Sequence, residues 1–246
     1  VIATTTPDDT FPSTATKVQK KLGADKAFAF DVQAVCAGFV YALTVAESLL
    51  MAQKGKRALV IGAESFTKLL DWEDRTTCVL FGDGAGAVVI EAEDAPDHFG
   101  IMASALHSDG NFRDILYVDG GPSATGDVGH VRMEGQDVFR HAVEKLSSVM
   151  DEVLVAANIP GEEVDWLVPH QANIRIINGM QRKLGLPSER VVRTVHKHAN
   201  TSAASIPLAL SEAVHDGRIK AGDLLALEAI GGGLAWGASL VRYGRP

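Results

Sequence analysis

The sequence predicts an α/β fold built from two similar halves. Helical and extended patterns alternate along the whole chain, as they do in proteins whose sheets are covered by helices. One short segment also recurs, since Gly84-Ala-Gly-Ala87-Val-Val-Ile90 is matched 151 residues later by Ala235-Trp-Gly-Ala238-Ser-Leu-Val241. Each copy follows a glycine turn and is extended, which indicates a duplicated unit. We place the two halves at residues 1–94 and 95–246.

The composition is that of an ordinary globular protein, with 46% hydrophobic and 22% charged residues among 246. The net charge of −8 disfavours a protein that binds nucleic acid by neutralising phosphates. Two cysteines make no disulfide framework, and no apolar run reaches the roughly 18 residues of a membrane span. We therefore expect a reduced, soluble, cytoplasmic protein with no nucleic-acid or membrane partner. Because Val1 already belongs to an extended pattern, we also expect that the first part of the first half is missing.

The first half is predicted to centre on a buried strand and a buried helix. A polar helix at 13–22 comes first, and Gly23 is suited to ending it. After Cys36, apolar residues at three- and four-residue spacing predict an amphipathic, mostly buried helix. The fully apolar run 58–63 is typical of a strand buried on both faces. The other predicted elements are the loop 65–76 and the strands 1–6, 28–32, 77–81 and 85–92. The predicted strand 77–81 would place Cys78 in the core.

The second half is dominated by a long helical pattern. Apolar residues keep to one side of a helix from about 134 to 157. Residues 107–131 are rich in Gly, Asp and Ser and are predicted to form an exposed excursion. The other predicted elements are the strands 101–106, 164–168, 190–195, 223–230 and 236–243, the helices 174–184 and 203–216, and the turn 196–202.

Cys36 is the first candidate functional residue. It is predicted to lie where a strand gives way to a helix, and the unpaired N–H groups of a first helical turn favour a thiolate over a thiol. Ala37 and Gly38 are small and leave the sulfur approachable. A cysteine beside apolar residues is, however, more often a small core residue, so a catalytic role needs partners elsewhere in the chain.

Two polar residues could supply those partners. His170 follows an apolar strand, where side chains tend to face a site, although a lone histidine there is more often structural. Asn200 lies in a polar turn before a helix, and the simpler interpretation is that Asn200 or Thr201 caps that helix. With Cys36, the pair would give a nucleophile and two N–H donors for a developing charge. The duplication also makes the helix starts at Cys36 and Asn200 equivalent, which would bring both residues to the seam between halves.

Five motifs occur in a fixed order: Asp31-Val-Gln-Ala-Val-Cys36-Ala-Gly-Phe39, Leu80-Phe-Gly-Asp-Gly-Ala-Gly-Ala87, Val168-Pro-His170-Gln-Ala-Asn-Ile-Arg-Ile176, Asn200-Thr-Ser-Ala-Ala-Ser-Ile-Pro207 and Gly231-Gly-Gly-Leu-Ala-Trp-Gly237. They resemble the 3-oxoacyl-[acyl-carrier-protein] synthase III family of bacterial fatty-acid synthesis. The resemblance implies a thiolase-like fold of five αβαβα layers and a homodimer. It also implies that an acetyl-type group moves from acyl-CoA to a cysteine and then condenses with malonyl-acyl carrier protein, releasing carbon dioxide. Coenzyme A would enter as part of a substrate, and no cofactor or metal is implied.

The same resemblance assigns roles to individual residues. Cys36 matches the nucleophile, and His170 and Asn200 match the pair that stabilises the enolate formed by decarboxylation. The remaining matches are the oxyanion amides of Cys36 and Gly232, the acyl-pocket residues Phe66, Phe81 and Ile230, the coenzyme A contact Arg75, and the carrier-protein contacts Arg175, Arg182 and Lys183. Each of these matches also has a simpler interpretation. Gly232 could belong to an ordinary tight turn, Arg75 could be an ordinary exposed loop residue, and Arg175, Arg182 and Lys183 could form a solvated helix face.

Departures from the family's pattern leave the primer open. His198-Ala199 stands where the family commonly has an aromatic residue or histidine followed by glycine, and Val35 where alanine is frequent. Longer or branched primers stay open, as does a related condensing enzyme of polyketide or quinolone synthesis. A cysteine hydrolase, in which the histidine is a general base, and a non-catalytic protein of the same fold are the other classes considered. The histidines of His196-Lys-His198 lack a second cluster, so no metal is expected.

Overall fold

The computed structural model describes residues 1–94 and 99–244, and most of its strands belong to two four-stranded sheets. The strands are β1 (Ile2–Ala3), β2 (Asp31–Val32), β3 (Arg57–Glu64), β4 (Gly84–Glu91), β5 (Gly100–Ser108), β6 (Leu116–Val118), β7 (Val131–Met133), β8 (Trp166–Pro169), β9 (Leu224–Gly231) and β10 (Ala235–Arg242). The helices are α1 (Thr14–Leu22), α2 (Gly38–Met51), α3 (Gly135–Ala157), α4 (Ile174–Lys183), α5 (Val195–His198) and α6 (Ser205–His215).

The two sheets repeat one strand pattern. The first runs β2-β1-β3-β4 and the second β5-β10-β9-β8. β3 and β4 form an antiparallel pair, as do β9 and β10, while β1 and β8 run parallel to β3 and β9 respectively. The equivalence of the two recurring segments, predicted from the sequence, is therefore confirmed in the strand order. The division between residues 94 and 95 stays a prediction, because residues 95–98 lie outside the described residues.

The layers follow from where apolar side chains pack. One core cluster joins Val60 of β3, Phe39 of α2, Ile206 of α6 and Leu227 of β9, so α2 and α6 lie between the two sheets. A second cluster packs α3 and α4 on the other face of the second sheet. α1 flanks the first sheet across a cavity of ≈ 350 Å³ lined by both. The predicted αβαβα layering is confirmed.

The run 58–63 is buried less completely than its composition predicts. Alternate residues of β3, among them Val60 and Gly62, are buried, whereas Leu59 and Ile61 are only half-buried. The inner residues face α2 and α6, and the outer ones face the cavity beside α1. The equivalent strand β9 is buried along its whole length, because helices cover both of its faces.

The predicted strand 77–81 is wrong. The Asp74 carboxylate accepts hydrogen bonds from the Thr76 amide and from the hydroxyls of Thr76 and Thr77 at 2.6–3.0 Å, which curls this segment into consecutive turns. Only Phe81, at its end, makes a strand-like bridge, to Asn200. Cys78 is consequently half-buried in a turn and does not belong to a core strand.

Three other segments differ from prediction. The strand expected at 190–195 is reduced to one bridge between Val191 and Leu167, and α5 begins at Val195, the last residue of that predicted strand, and extends into the predicted turn 196–202. The excursion 107–131 contains a 3-10 helix and β6, and β6 pairs with β7 in a two-stranded ribbon. The loop expected at 65–76 includes a 3-10 helix at Phe66–Leu69. The other predicted elements are present with shifted ends, and α1 ends at Gly23 in the left-handed conformation, as predicted.

None of the helices formed by residues 1–94 and 99–244 has both the length and the apolar character needed to cross a bilayer.

Candidate active site

Cys36 lies at a tight junction between β2 and α2. It belongs to a 3-10 turn, Val35–Ala37, that runs directly into α2. Val35 has a φ of 49°, which a β-branched residue rarely adopts, so the backbone is strained immediately before the cysteine. Gly38 follows, and a Cβ atom there would lie 3.1 Å from the Cβ of Ala3. The strand-to-helix placement of Cys36 is confirmed, and the side chain is 3% exposed.

Burial decides the ionisation of the Cys36 thiol. It raises the pKa to about 12, and the nearby charge of Glu64 acts in the same direction. A hydrogen bond from the Ser202 hydroxyl and one from the backbone amide of Cys36 act in the opposite direction but are smaller. The stabilisation of a thiolate expected from the helix start is therefore outweighed by desolvation, and the resting thiol is neutral.

His170 is the residue directly after β8, with 4% of its surface exposed. Its Nδ1 lies 2.6 Å from Oγ of Ser205, and this oxygen also accepts a hydrogen bond of 3.2 Å from the Gln171 amide. Since the oxygen already accepts from Gln171, we assign its proton to the bond with Nδ1, which puts the ring proton on Nε2. Burial lowers the pKa of His170 to about 3, so the ring is neutral.

Asn200 is anchored at both its backbone and its side chain. Its amide donates to the Leu80 carbonyl at 2.9 Å, and its carbonyl accepts from the Gly82 amide at 3.0 Å. Its Oδ1 accepts from the Ser202 amide at 2.9 Å, which forms a local turn before the 3-10 segment Ser202–Ala204. The same bond fixes the carboxamide and leaves its –NH₂ end to donate elsewhere. The N-cap residues of that segment and of α6 are Thr201 and Ala204, and neither makes a side-chain capping bond, so the simpler interpretation that Asn200 or Thr201 caps the helix is wrong.

One short segment, residues 200–205, connects the three candidates. The Ser202 amide donates to Oδ1 of Asn200, and the nearby Ser202 hydroxyl acts to lower the pKa of the Cys36 thiol. Ser205, the first residue of α6, holds the ring of His170. Cys36, His170 and Asn200, which are distant in the sequence, are thus all tied to the polypeptide that precedes and opens α6.

Glycines let the end of β9 approach the nucleophile. A Cβ atom on Gly231 would lie 2.5 Å from the amide nitrogen of Cys36, and one on Gly232 would lie 2.7 Å from the Leu116 carbonyl oxygen. Real side chains do not tolerate such distances, so both positions require glycine. The backbone of Gly231 therefore lies beside the Cys36 amide, and the adjacent Gly232 is the residue whose amide the resemblance pairs with that of Cys36 as an oxyanion donor.

A cleft of ≈ 960 Å³ reaches the surroundings of Cys36. Its lining includes Val35, Phe66, Leu69 and Gly232. The cleft is large enough to hold a thioester-bearing chain, since small-molecule sites typically have volumes of about 300–1,000 Å³.

The three acyl-pocket candidates fall into two groups. The rings of Phe66 and Phe81 stack with centroids 4.5 Å apart and planes at 15°, in a cluster that includes Leu69 and Val131. Ile230 is buried in a different cluster, with residues of α3 and α4. The structure thus brings Phe66 and Phe81 together and places Ile230 in a separate cluster beside α3 and α4.

The basic candidates are all on the surface. Arg75 is exposed in the turns after Asp74. Arg175, Arg182 and Lys183 are exposed on α4. The structure gives these side chains room to meet a ligand or partner.

Two buried carboxylic acids have no counterpart among the predicted residues. Glu64, at the end of β3, is 5% exposed and accepts hydrogen bonds from Thr5, Thr6 and Ser202. Glu228, in the middle of β9, is fully buried, and burial raises its pKa to about 8. An acidic residue within or beside an apolar run was the available signal, but it does not reveal what the side chain meets.

Comparison with known proteins adds independent information. Residues 30–110 match the family model described as 3-oxoacyl-[acyl-carrier-protein (ACP)] synthase III, and residues 154–243 match the model of its C terminal. The beta-ketoacyl-[acyl-carrier-protein] synthase III of Erythrobacter litoralis (strain HTCC2594) is 64% identical over 244 residues, which cover 99% of this chain and 76% of the relative.

Solved structures agree in fold. The 3-oxoacyl-[acyl-carrier-protein] synthase III from Aquifex aeolicus VF5 has a TM-score of 0.92 at 48% identity, covering 98% of this chain and 76% of that one. A priming beta-ketosynthase from the R1128 polyketide biosynthetic pathway reaches the same TM-score at 33% identity, covering 100% of this chain and 74% of its own. The backbone is thus shared across both groups, whereas the sequence is nearer to the first.

Proposed function

This chain belongs to the 3-oxoacyl-[acyl-carrier-protein] synthase III family, and we propose how its residues carry out that family's reaction. It is a condensing acyltransferase of fatty-acid synthesis that joins an acyl group from acyl-CoA to malonyl-acyl carrier protein. Coenzyme A takes part as a portion of the substrate. The observation that supports the residue assignment most strongly is the convergence of Cys36, His170 and Asn200 on residues 200–205.

In the first half-reaction, the sulfur of Cys36 attacks the thioester carbonyl of acyl-CoA. The S–H bond breaks, a C–S bond forms, and coenzyme A leaves as a thiolate that takes up a proton. The amides of Cys36 and Gly232 would donate to the oxygen of the tetrahedral intermediate, and the close approach of Gly231 to the Cys36 amide supports this pairing. Each such donor is typically worth about 3 kcal/mol of barrier lowering.

In the second half-reaction, malonyl-acyl carrier protein loses carbon dioxide and leaves an enolate. Its oxygen would accept hydrogen bonds from Nε2–H of His170 and from the –NH₂ group of Asn200. Ser205 and the Ser202 amide hold these two donors in place. The low pKa of His170 supports a donor role, because a neutral ring can stabilise the oxygen without transferring its proton. The enolate carbon then attacks the acyl group on Cys36 and releases the thiolate.

The remaining assignments concern substrates. Phe66 and Phe81 would form a wall of the acyl pocket, with Ile230 supporting it from behind β9. Arg75 would contact coenzyme A, because a planar guanidinium suits both stacking and phosphate binding. The exposed basic patch of α4 would attract the acidic carrier protein. A homodimer in the cytoplasm is proposed from family membership alone.

The alternatives are less well supported. A hydrolase would use the histidine as a general base, and a ring with a pKa of about 3 is a weak one. A polyketide-type condensing enzyme would share the three residues, but the identity of 64% to a beta-ketoacyl-[acyl-carrier-protein] synthase III favours the fatty-acid reaction.

The assignment is tested by separating the half-reactions. Intact mass spectrometry after incubation with acetyl-CoA and with longer or branched acyl-CoA should show one acyl group on Cys36 and identify the preferred primer. C36A should abolish this adduct and retain malonyl-acyl carrier protein decarboxylation, whereas H170A and N200A should lose decarboxylation and still be acylated. Equal loss of both half-reactions in all three variants would contradict the division of roles.

A further inference from the structure

A buried carboxylate that the proposed mechanism does not use reaches the segment that carries Asn200. Glu64, at the end of β3, is 5% exposed. Its Oε2 accepts hydrogen bonds from the Thr5 amide and from the hydroxyls of Thr5 and Thr6 at 2.8–3.0 Å, and from the Thr4 hydroxyl at 3.4 Å. Its Oε1 accepts from the Ser202 hydroxyl at 3.1 Å and from the Thr5 amide at 3.2 Å. The carboxylate is therefore anchored on residues 4–6 and holds Ser202 from that anchor.

Ser202 has a backbone conformation that needs support from its surroundings. Its φ of 50° lies in the left-handed region that non-glycine residues seldom occupy. The residue is fully buried, so its hydroxyl needs an acceptor within the protein, and Oε1 of Glu64 is one. This charge-assisted hydrogen bond offsets part of the strain in the backbone. A Cβ atom on Gly62 would lie 2.2 Å from the Ala203 carbonyl oxygen, so β3 is also pressed against the same turn.

The conformation of Ser202 decides where its amide points. That amide donates to Oδ1 of Asn200 at 2.9 Å. A carboxamide can rotate by about 180°, which exchanges its acceptor oxygen and its donor nitrogen. Because the Ser202 amide is a donor, it selects the orientation in which Oδ1 faces the turn and the –NH₂ group is presented to the substrate. In the reverse orientation, Oδ1 would face the enolate oxygen and repel it.

We propose that Glu64 is a positioning residue that orients the carboxamide of Asn200 through Ser202. The proposal rests on the proposed role of Asn200 as a donor to the enolate oxygen. Glu64 holds the Ser202 hydroxyl, which keeps the Ser202 amide directed at Oδ1 of Asn200. No proton or electron pair passes through Glu64. Its loss should therefore slow the decarboxylation of malonyl-acyl carrier protein more than the acylation of Cys36.

The test compares E64A, S202A and S202G, with S239A as the matched control. E64A removes the acceptor, and S202A removes the hydroxyl but keeps the Cβ atom that makes a φ of 50° unfavourable. S202G also removes the hydroxyl, but glycine adopts this φ readily, so the amide can still reach Asn200. Ser239, in β10, is also a fully buried serine bonded to another hydroxyl, that of Ser104 at 2.8 Å.

The two half-reactions are measured separately, decarboxylation by release of carbon dioxide and acylation by rapid-quench mass spectrometry with acetyl-CoA. We expect kcat for decarboxylation to fall about tenfold or more in E64A and S202A, since removing a whole oxyanion donor costs about 100- to 1,000-fold. KM for malonyl-acyl carrier protein should stay within about twofold and acylation within about threefold. S202G should recover most of the lost kcat, and S239A should match the wild type.

The double variant E64A/S202G shows whether Glu64 acts through Ser202. Because glycine needs no hydroxyl anchor, E64A should lower kcat by no more than about twofold in the S202G background. Equal losses of kcat in S202A and S202G, or a further tenfold loss in E64A/S202G, would overturn the proposal. If E64A fails to fold, the comparison of S202A with S202G decides, because S202A breaks the same bond and leaves Oε1 paired with the Thr5 amide.

The variant N200A separates this proposal from the assignment on which it rests. Wild-type decarboxylation in N200A would refute the role of Asn200, and the positioning role of Glu64 with it. Loss of decarboxylation in N200A together with normal rates in E64A and S202A would refute the positioning role alone.

Discussion

Glu228 gives the sharpest prediction about stability. It is fully buried in β9, and neither carboxylate oxygen has a hydrogen-bond partner among residues 1–94 and 99–244. Burial raises its pKa from 4.5 to about 8, so the folded protein retains this proton over a pH range in which the unfolded chain has lost it. Glu228→Gln keeps the shape of the side chain and removes the titration.

The direction and magnitude of the pH effect on stability follow from the difference between the pKa of Glu228 in the folded and in the unfolded protein. The stabilisation associated with the protonated acid is complete below pH 4.5, declines as the pH rises, and is lost above about pH 8. The full difference corresponds to about 5 kcal/mol, of which roughly 3 to 4 kcal/mol falls between pH 5 and pH 8. Wild type should lose this stability on going from pH 5 to pH 8 relative to E228Q.

The assay is urea unfolding followed by circular dichroism at several pH values from 5 to 8. Other titrating groups are common to both proteins, so the difference between wild type and E228Q isolates residue 228. The exposed Glu163, changed to glutamine, is the matched control and should reproduce the wild-type curve. Parallel stability curves for wild type and E228Q would refute the reasoning.

Three further predictions address the backbone and the surface. A199G should raise the free energy of unfolding measured in urea by about 1 kcal/mol. The reason is that Ala199 has φ 59° and ψ −160°, a backbone conformation tolerated mainly by glycine. A lower free energy of unfolding in A199G would contradict this prediction. G231A should abolish acylation of Cys36 in intact mass spectrometry, because its Cβ would meet the Cys36 amide at 2.5 Å, whereas G110A, with nothing within 4 Å, should not. R182E should raise KM for malonyl-acyl carrier protein severalfold at low salt and leave KM for acyl-CoA unchanged; equal changes in both would exclude a docking role.

Much of the fold could be predicted because it depends on local patterns that tertiary contacts reinforce. The recurring segments that follow glycine turns predicted that β4 and β10 are equivalent strands, and the apolar spacing after Cys36 predicted α2. Residues 77–81 show the limit, since their composition suits a strand. A single carboxylate, Asp74, offers the backbone and side chains of Thr76 and Thr77 a competing set of hydrogen bonds.

The residues of the candidate site also fall into those that could be predicted from the sequence and those that could not. Cys36, His170 and Asn200 could be proposed because each lies in a recognisable motif at the end of an element. The contact between Ser202 and Glu64 could not be predicted, because it spans 138 residues and accompanies the close approach of Gly62 to Ala203. The ionisation of Cys36 was misjudged for a related reason, as a helix start is visible in a sequence and the depth of burial is not.

The electrostatic design of the site follows from this burial. Because burial raises the pKa of Cys36 to about 12 and lowers that of His170 to about 3, both are neutral at rest near neutral pH. Charge arises only when a substrate reacts, first on the acyl oxygen and later on the enolate, and at those moments the fixed N–H groups gain their full strength in a dry environment. A permanently charged thiolate would accept hydrogen bonds from these N–H groups before the substrate could do so.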